Sequence, residues 1–462
     1  MGAAIENHRI DKPRSCASEA WRRHVQLMIE FATLFLGLIL GPQQVELLVH
    51  EQVEVIEVYL DRQIVGRLSE PPWHLRVELG EELAPHVLKA VAYDGEGEEI
   101  DRVEQWVNVS TQQTEVSLLV SPRQDGDGLQ AQVAWESVAE QLEPTSFRIE
   151  LDGEPLEVED PRQFDLPPID RGQVHLLRVD LQFSETLQAA TEAIFGGPYS
   201  DEIDTELTAV PVHLDRPKKL PSLEEMQGWF LDQGQAVAVK AVEESQVDIV
   251  VVRDVTTVAA MRNLYPRPSK YLPWGRTSRE TLDSPLKKNH SIRFITPVAR
   301  QIEREGYQYQ IFPPIGPFSR EDGALLWLFS SVVPFNADPL GLRLADAVAV
   351  AGMVAAQSGR RRAVVVIAGA EPEDRSQLSE AAVLRFLRRL HVPVALWTPI
   401  SGVKQIAAWG PAVNISSRHA LNTAYQELSK QLNRQRIVWL EGRHLPQAIS
   451  LSPKAEGVHL VE

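Results

Sequence analysis

The hydrophobic period changes near Pro211, with strand patterning returning only over Arg436 to Leu440 and Ala448 to Val461, and that change limits the architectures open to the chain. From Val25 to about Leu214 apolar and polar residues alternate in short runs, as in Val53 to Leu60 and Phe147 to Leu151. A period of two puts every second side chain on one face, the pattern of half-buried antiparallel strands. Between the runs lie Asp94-Gly95-Glu96-Gly97, Asp125-Gly126-Asp127-Gly128 and Asp152-Gly153, residues that accept positive φ in hairpin turns. Beyond Pro211 the runs Asp248 to Arg253, Ala363 to Ile367 and Val392 to Trp397 are almost continuously apolar. They alternate with helical patterns over Leu340 to Gln357, Ser379 to Leu390 and Ser417 to Gln435. Strands buried on both faces between helices are the mark of a parallel sheet with helical cover.

A faint repeat of about 90 residues runs through the front half and reads as one sandwich unit used twice. Val58-Tyr-Leu-Asp61 recurs as Ile149-Glu-Leu-Asp152, Pro71 as Pro161, and His86-Val-Leu-Lys89 as His175-Leu-Leu-Arg178. The expected organisation is an N-terminal tail over 1–23, an immunoglobulin-like β-sandwich over 24–112, a second over 113–212, a linker over 213–221 and an α/β doubly wound domain over 222–462. Length agrees, since 462 residues exceed one core at roughly 100 to 200 residues per domain. Trp73, Trp106 and Trp135 are the expected core aromatics of the sandwiches.

The net charge of −18 conceals a division. Residues 1–212 hold 15 Lys and Arg against 40 Asp and Glu, a balance of −25, whereas residues 213–462 hold 31 against 24, a balance of +7. Such halves either solubilise the chain or attract each other, within one molecule or between molecules. The lone Cys16 has no partner for a disulfide or a thiolate metal site. The apolar run Leu27 to Gly41 contains Glu30 and is shorter than the roughly 20 residues a membrane helix needs. It reads as two buried strands rather than a membrane span or a leader, and the compartment stays open.

The sequence has no phosphate loop, dinucleotide fingerprint, nucleophile elbow or His-Glu-x-x-His. No two histidines have the spacing of a zinc ligand pair. Asp125 to Gly128 lacks the further oxygens of a calcium loop and reads as a hairpin tip. The segment Arg262 to Arg304 holds ten Lys or Arg, including Arg276, Lys287 and Lys288, interleaved with Tyr265, Tyr271 and Trp274. Basic groups beside aromatics can bind nucleic acid. The acidic front half argues against that, so these residues are candidates for binding a protein partner or a second copy of the chain.

Val58 to Val109, with VYLD, PPWHLRVELG, HVLKAVAYDGEG and QWVN, together with Asp248 to Pro399, resembles the von Willebrand factor A-related proteins of Acidobacteria. The resemblance implies a bacterial protein whose α/β domain is of the von Willebrand factor A type. In that fold a loop with Asp-x-Ser-x-Ser, a second with Thr and a third with Asp hold one magnesium-type ion. Here Asp254 and Thr256 keep part of the first motif, Val258 stands at its second serine, Leu342 at the threonine and Gly369 at the third-loop aspartate. Two hard ligands do not hold such an ion, which needs several convergent oxygens, so no metal or other cofactor is expected. The acids Glu371, Glu373 and Asp374 could rebuild the site, but read more simply as a solvated loop capping the next helix.

The resulting expectation is a non-enzymatic interaction or self-assembly protein, its partner a protein or a head-to-tail second copy, with no nucleic acid. The alternatives are a metal-dependent adhesin and a carbohydrate-binding module.

Overall fold

The computed structural model describes residues 29–33, 38–50, 52–109, 114–123, 128–137, 143–170, 173–183, 188–196, 199–204, 207–215, 221–257, 259–261, 290–304, 307–312, 314–318, 341–372 and 374–461. They form two compact units, the first made of residues up to 105 apart from the segments 35–41 and 79–87, which belong with 106–462 in the second.

In the first sandwich one sheet orders Ile29–Phe31, Pro42–Val49 and His74–Glu78, all antiparallel. The other orders Gln63–Leu68, Val55–Leu60, His86–Tyr93 and Glu99–Val107. Period-two alternation turns Ile56, Val58, Leu88, Ala90 and Ala92 inward, each buried. The Leu27 to Gly41 run supplies the short strand Ile29–Phe31; residues 38–41 lie outside regular strands, and 27–28 and 34–37 lie outside the described residues.

The second sandwich repeats this strand order. Glu154–Leu156, Ser146–Leu151, His175–Gln182 and Gln188–Gly196 are neighbours, with Tyr199–Asp204 added at the edge. Gln163–Asp165, Leu129–Ser137 and Thr114–Pro122 form the facing sheet. The sequence repeat is therefore a structural one. Its recurrent aspartate turns the same hairpin in both modules, at φ 57° for Asp61 and φ 54° for Asp152, a left-handed conformation that Asp tolerates well. His175 opens its strand with Nδ1 2.7 Å from Asp152 Oδ2 and Nε2 2.9 Å from Asp170 O. Burial disfavours its charge, but Asp152 and the Asp170 carbonyl outweigh it and raise its pKa. Trp73, Trp106 and Trp135 are only partly buried, and Trp135 carries the Arg162 guanidinium 4.1 Å above its ring. The fully enclosed indole is Trp439 instead.

The α/β part has a six-stranded sheet built from β1 (Val247–Arg253), β2 (His290–Ile295), β3 (Pro314–Phe318), β4 (Arg361–Ile367), β5 (Val394–Thr398) and β6 (Val413–Asn414), in the order β3-β2-β1-β4-β5-β6. All neighbours are parallel except the edge strand β3. Alternation along β1 and β4 divides the apolar residues between two cores. Val250, Val252, Val364 and Val366 face α1 (Leu344–Gln357) and α2 (Glu380–Arg389). Ile249, Val251, Val365 and Ile367 face α3 (Arg418–Leu432). Ser379 and Ser417 cap α2 and α3 by accepting from the amides of Ala382 and Ala420. Arg362, at the foot of β4, donates to the carbonyls of Ala356 and Leu390, both at 3.1 Å, and so ties the C-terminal ends of α1 and α2 to the sheet.

A third β module was not foreseen. Val239–Glu243, Gln435–Glu441, Leu207–Leu214 and Val458–Leu460 form one antiparallel sheet, and Gln235–Val237, Phe230–Asp232 and Ile449–Leu451 another. Between them Val210, Val212, Phe230, Val438 and Leu440 are buried. Strand Leu207–Leu214, read above as the end of the second sandwich and the start of a linker, thus pairs with the C-terminal strands. Residues 216–220 of that expected linker lie outside the described residues. The α/β sheet is an insert between the neighbouring strands Val239–Glu243 and Gln435–Glu441.

The second sandwich, the third module and the insert meet around Trp439. Leu176 and Ile194 of the sandwich join Ala241, Ile437 and Trp439 in one cluster. Gly359, at φ +56°, lies so close that a Cβ there would stand 2.7 Å from Arg178 Nη1 and 3.3 Å from the Trp439 ring.

Candidate functional site

Ligands of open parallel sheets collect at the C-terminal ends of the strands, where Asp254 follows β1 and Gly369 follows β4. The Asp254 amide donates to Ile367 O at 2.8 Å and anchors its loop to β4. Its carboxylate is buried and already bonded. Oδ1 accepts from the Thr256 amide at 2.9 Å, and Oδ2 accepts from the Gly369 amide at 3.0 Å and from the Thr256 hydroxyl. The Thr257 hydroxyl turns to Asp254 O at 2.6 Å. A Cβ at Gly369 would stand 3.0 Å from Thr256 Oγ1 and 3.4 Å from Asp254 Oδ2, so glycine here admits the close approach of the two loops. Leu342, before α1, offers an aliphatic side chain, and its carbonyl accepts from the Arg375 amide at 2.7 Å.

These residues do not fit a magnesium-type ion. The carboxylate of Asp254 is committed to neutral donors, and Leu342 and Gly369 bring no side-chain oxygen. Among the described residues no group of three or more His, Cys, Asp or Glu could hold a metal.

The acidic loop after β4 has a different task. Asp374 accepts from the amides of Leu344 at 2.9 Å and Ala345 at 3.0 Å, the first turn of α1. Ser376 Oγ accepts from Asp346 N at 3.0 Å, and the Asp346 carboxylate in return accepts from Gln377 and Leu378. The loop thus caps the preceding helix, not the next one. Glu371 is exposed.

Val258, Glu373, Tyr265, Tyr271, Trp274, Arg276, Lys287 and Lys288 lie outside the described residues, as do Cys16, Asp125 and Asp127.

Sequence reasoning missed the opposite edge of the sheet. Asp248 and Ser291 open β1 and β2, and the Asp248 carboxylate accepts from Ser291 Oγ and lies 3.6 Å from Arg293. Arg360, before β4, reaches Glu150 at 3.1 Å and also Asp180, both on the second sandwich. Arg148 holds Glu150 at 2.7 Å, and Arg178 holds Asp180 at 3.1 Å and Glu192 at 3.3 Å. Beside them Glu244 joins Arg361 at 3.3 Å to Arg436 at 2.9 Å. The signal was available in Arg360-Arg361-Arg362, a triple cation that runs into the start of a buried strand, because buried charges require partners.

No family model and no curated protein matches the chain. Solved structures similar to parts of it include fibronectin(III)-like modules of Clostridium thermocellum CbhA, at 12% identity and a TM-score of 0.16 over 17% of this chain and 93% of that one. Another is the central fibronectin-III array of RIM-binding protein, at 8% identity and a TM-score of 0.21 over 45% of this chain and 84% of that one. Among the described residues no helix is long and apolar enough to cross a membrane.

Proposed function

We propose that the chain is a non-enzymatic interaction or assembly protein whose α/β insert is a von Willebrand factor A-like domain that works without a metal. The observation that carries this reading is the saturation of Asp254. The carboxylate that would anchor an ion is bonded to Thr256 and to the Gly369 amide, and serves as a clasp between two loops. The reading is further supported by the strand order, with its antiparallel edge strand, and by the three family loops falling after β1, before α1 and after β4. The sandwiches act as spacers and binding faces for a protein partner or a second copy.

Metal analysis of the purified full chain, with a melting curve with and without EDTA, tests the metal-free site. Less than a tenth of an equivalent of magnesium or manganese and an unchanged melting temperature are expected, whereas a stoichiometric ion would overturn the reading. Light scattering at low and high salt separates the two partners. Salt-sensitive association indicates self-assembly, and a strict monomer leaves an outside protein.

A further inference from the structure

We propose that the outer face of the first sandwich around Tyr59 and Ile64 is where a second copy of this chain docks, like face against like face. This deepens the self-assembly form of the function proposed above and rests on it.

The internal repeat singles out the face. The central strand pair keeps one register in both sandwiches. Glu57 and Tyr59 lie opposite Val91 and Lys89 in the first, and Arg148 and Glu150 lie opposite Asp180 and Arg178 in the second. Val58 and Ile149, between them on their strands, are buried in the two cores, so alternation turns these residues out of the sheet on the same side. In the second sandwich that side is a docking surface. Glu150 and Arg178 are buried there, and Arg360 of the α/β insert reaches Glu150 and Asp180 across it. The first sandwich has the same strand order and register, so its outer face stands where this scaffold holds another domain.

The side chains on that face suit a contact with protein. Ile64, on the edge strand Gln63–Leu68, is the register neighbour of Tyr59 and is 59% exposed. Tyr59 donates from its hydroxyl to Glu57 at 2.7 Å, and the Tyr93 hydroxyl lies 3.4 Å from the same oxygen. The Lys89 ammonium stands 4.9 Å from the centre of the Tyr59 ring. Phenols fixed in this way offer apolar area at little further cost in side-chain entropy.

Charge selects the occupant. Residues 38–109 hold 15 Asp and Glu against 5 Lys and Arg, yet the strands Gln63–Leu68, Val55–Leu60 and His86–Tyr93 hold one acid, Glu57, and two bases, Arg67 and Lys89. A patch carrying both signs complements its own copy. About a two-fold axis Glu57 of each molecule meets Lys89 of the other, with Ile64 and Tyr59 enclosed between them. A basic partner is drawn instead to the acidic remainder of the module. That remainder repels its copy, so salt strengthens this dimer by screening the repulsion.

Sedimentation equilibrium of the full chain between about 5 and 200 µM, at about 0.05 M and 0.5 M salt, tests this. Wild type should form a dimer of micromolar Kd that tightens at the higher salt. Ile64→Glu should raise Kd at least about tenfold, whereas Leu48→Glu, at a position 58% exposed on the other sheet of the same sandwich, should change it by less than about twofold. Glu57→Lys and Lys89→Glu should each weaken the homodimer, and an equimolar mixture of the two should recover a heterodimer. Melting curves separate lost docking from lost folding, and if a charge variant does not fold, the comparison of Ile64→Glu with Leu48→Glu still decides. A monomer at every concentration overturns the proposal and leaves the outside partner of the wider reading. An association that weakens with salt, that responds equally to Ile64→Glu and Leu48→Glu, or that the mixture of folded charge variants does not restore also overturns it, while self-assembly by another face stands.

Discussion

Arg360 donates from Nη2 to Glu150 Oε1 at 3.1 Å, joining positions 210 residues apart. Both side chains are almost completely enclosed, at 5% and 3% exposure. The second sandwich, from the acidic half of the sequence, and the insert, from the basic half, are therefore joined inside one molecule by a few buried groups.

Removing Arg360 takes one of two guanidinium partners from each of Glu150 and Asp180, which keep Arg148 and Arg178. Arg360→Met should cost about 1.5–3 kcal/mol, the range for a lost hydrogen bond to a charged group. Urea denaturation of the full chain measures it, and a loss below about 1 kcal/mol would show that water reaches the site.

Asp180 gives the acid side of the pH profile. Burial alone would raise its carboxyl, but Arg178 and Arg360 outweigh it and hold it down to about 2. The group binds fewer protons folded than unfolded, so its contribution is present above the ordinary carboxylate range near 3.8 and fades as pH falls towards 2. Asp180 is partly exposed, which limits the contribution to about 1–2 kcal/mol. In Asp180→Asn the decline in melting temperature between pH 5 and pH 2.5 should be shallower than in wild type.

Placing an aspartate at Gly369 tests how tightly the Asp254 and Gly369 loops are closed. The new Cβ meets Thr256 and Asp254 at 3.0 and 3.4 Å, so Gly369→Asp should destabilise by about 1–2 kcal/mol. No magnesium-dependent rise in melting temperature should accompany it. A rise of several degrees at millimolar magnesium would mean that the loops can reopen around an ion.

Asp374 should behave as a cap. Asp374→Ala leaves the Leu344 and Ala345 amides without their acceptor and should cost about 1–2 kcal/mol. Asp374→Asn should recover only part of the loss, because its single amide oxygen can replace Oδ1 or Oδ2 but not both.

Much of this fold was legible because two kinds of signal are local. Period two in Val55–Leu60 and continuous burial in Arg361–Ile367 fix which faces are covered, and Ser379 and Ser417 announce their helices. What was not legible is who pairs with whom at long range. Leu207–Leu214 reads as a strand, but nothing in its alternation says that its neighbour is Gln435–Glu441. Asp374 was read as an acid near the next helix, because sequence distance gives no hint that the loop folds back onto α1. Trp135 was assigned to the core on its apolar area alone, although its ring serves as a platform for Arg162. At the candidate edge, the absence of side-chain oxygens at Leu342 and Gly369 was visible in the letters. The use of Asp254 as a clasp was not, since it depends on the contact between two loops more than a hundred positions apart.

Because the α/β insert is attached by neighbouring antiparallel strands, it lies off the mechanical path through the third module. Tension between a point before Leu207 and one after Leu460 runs first through the hydrogen bonds that pair Val212 with Leu460 and Leu214 with Val458. The pulled ends of those two strands lie on the same side, so the pair unzips bond by bond instead of shearing. In single-molecule stretching the terminal strand should peel at low force while the insert stays folded, and the insert should lengthen the tether only in a later, separate step.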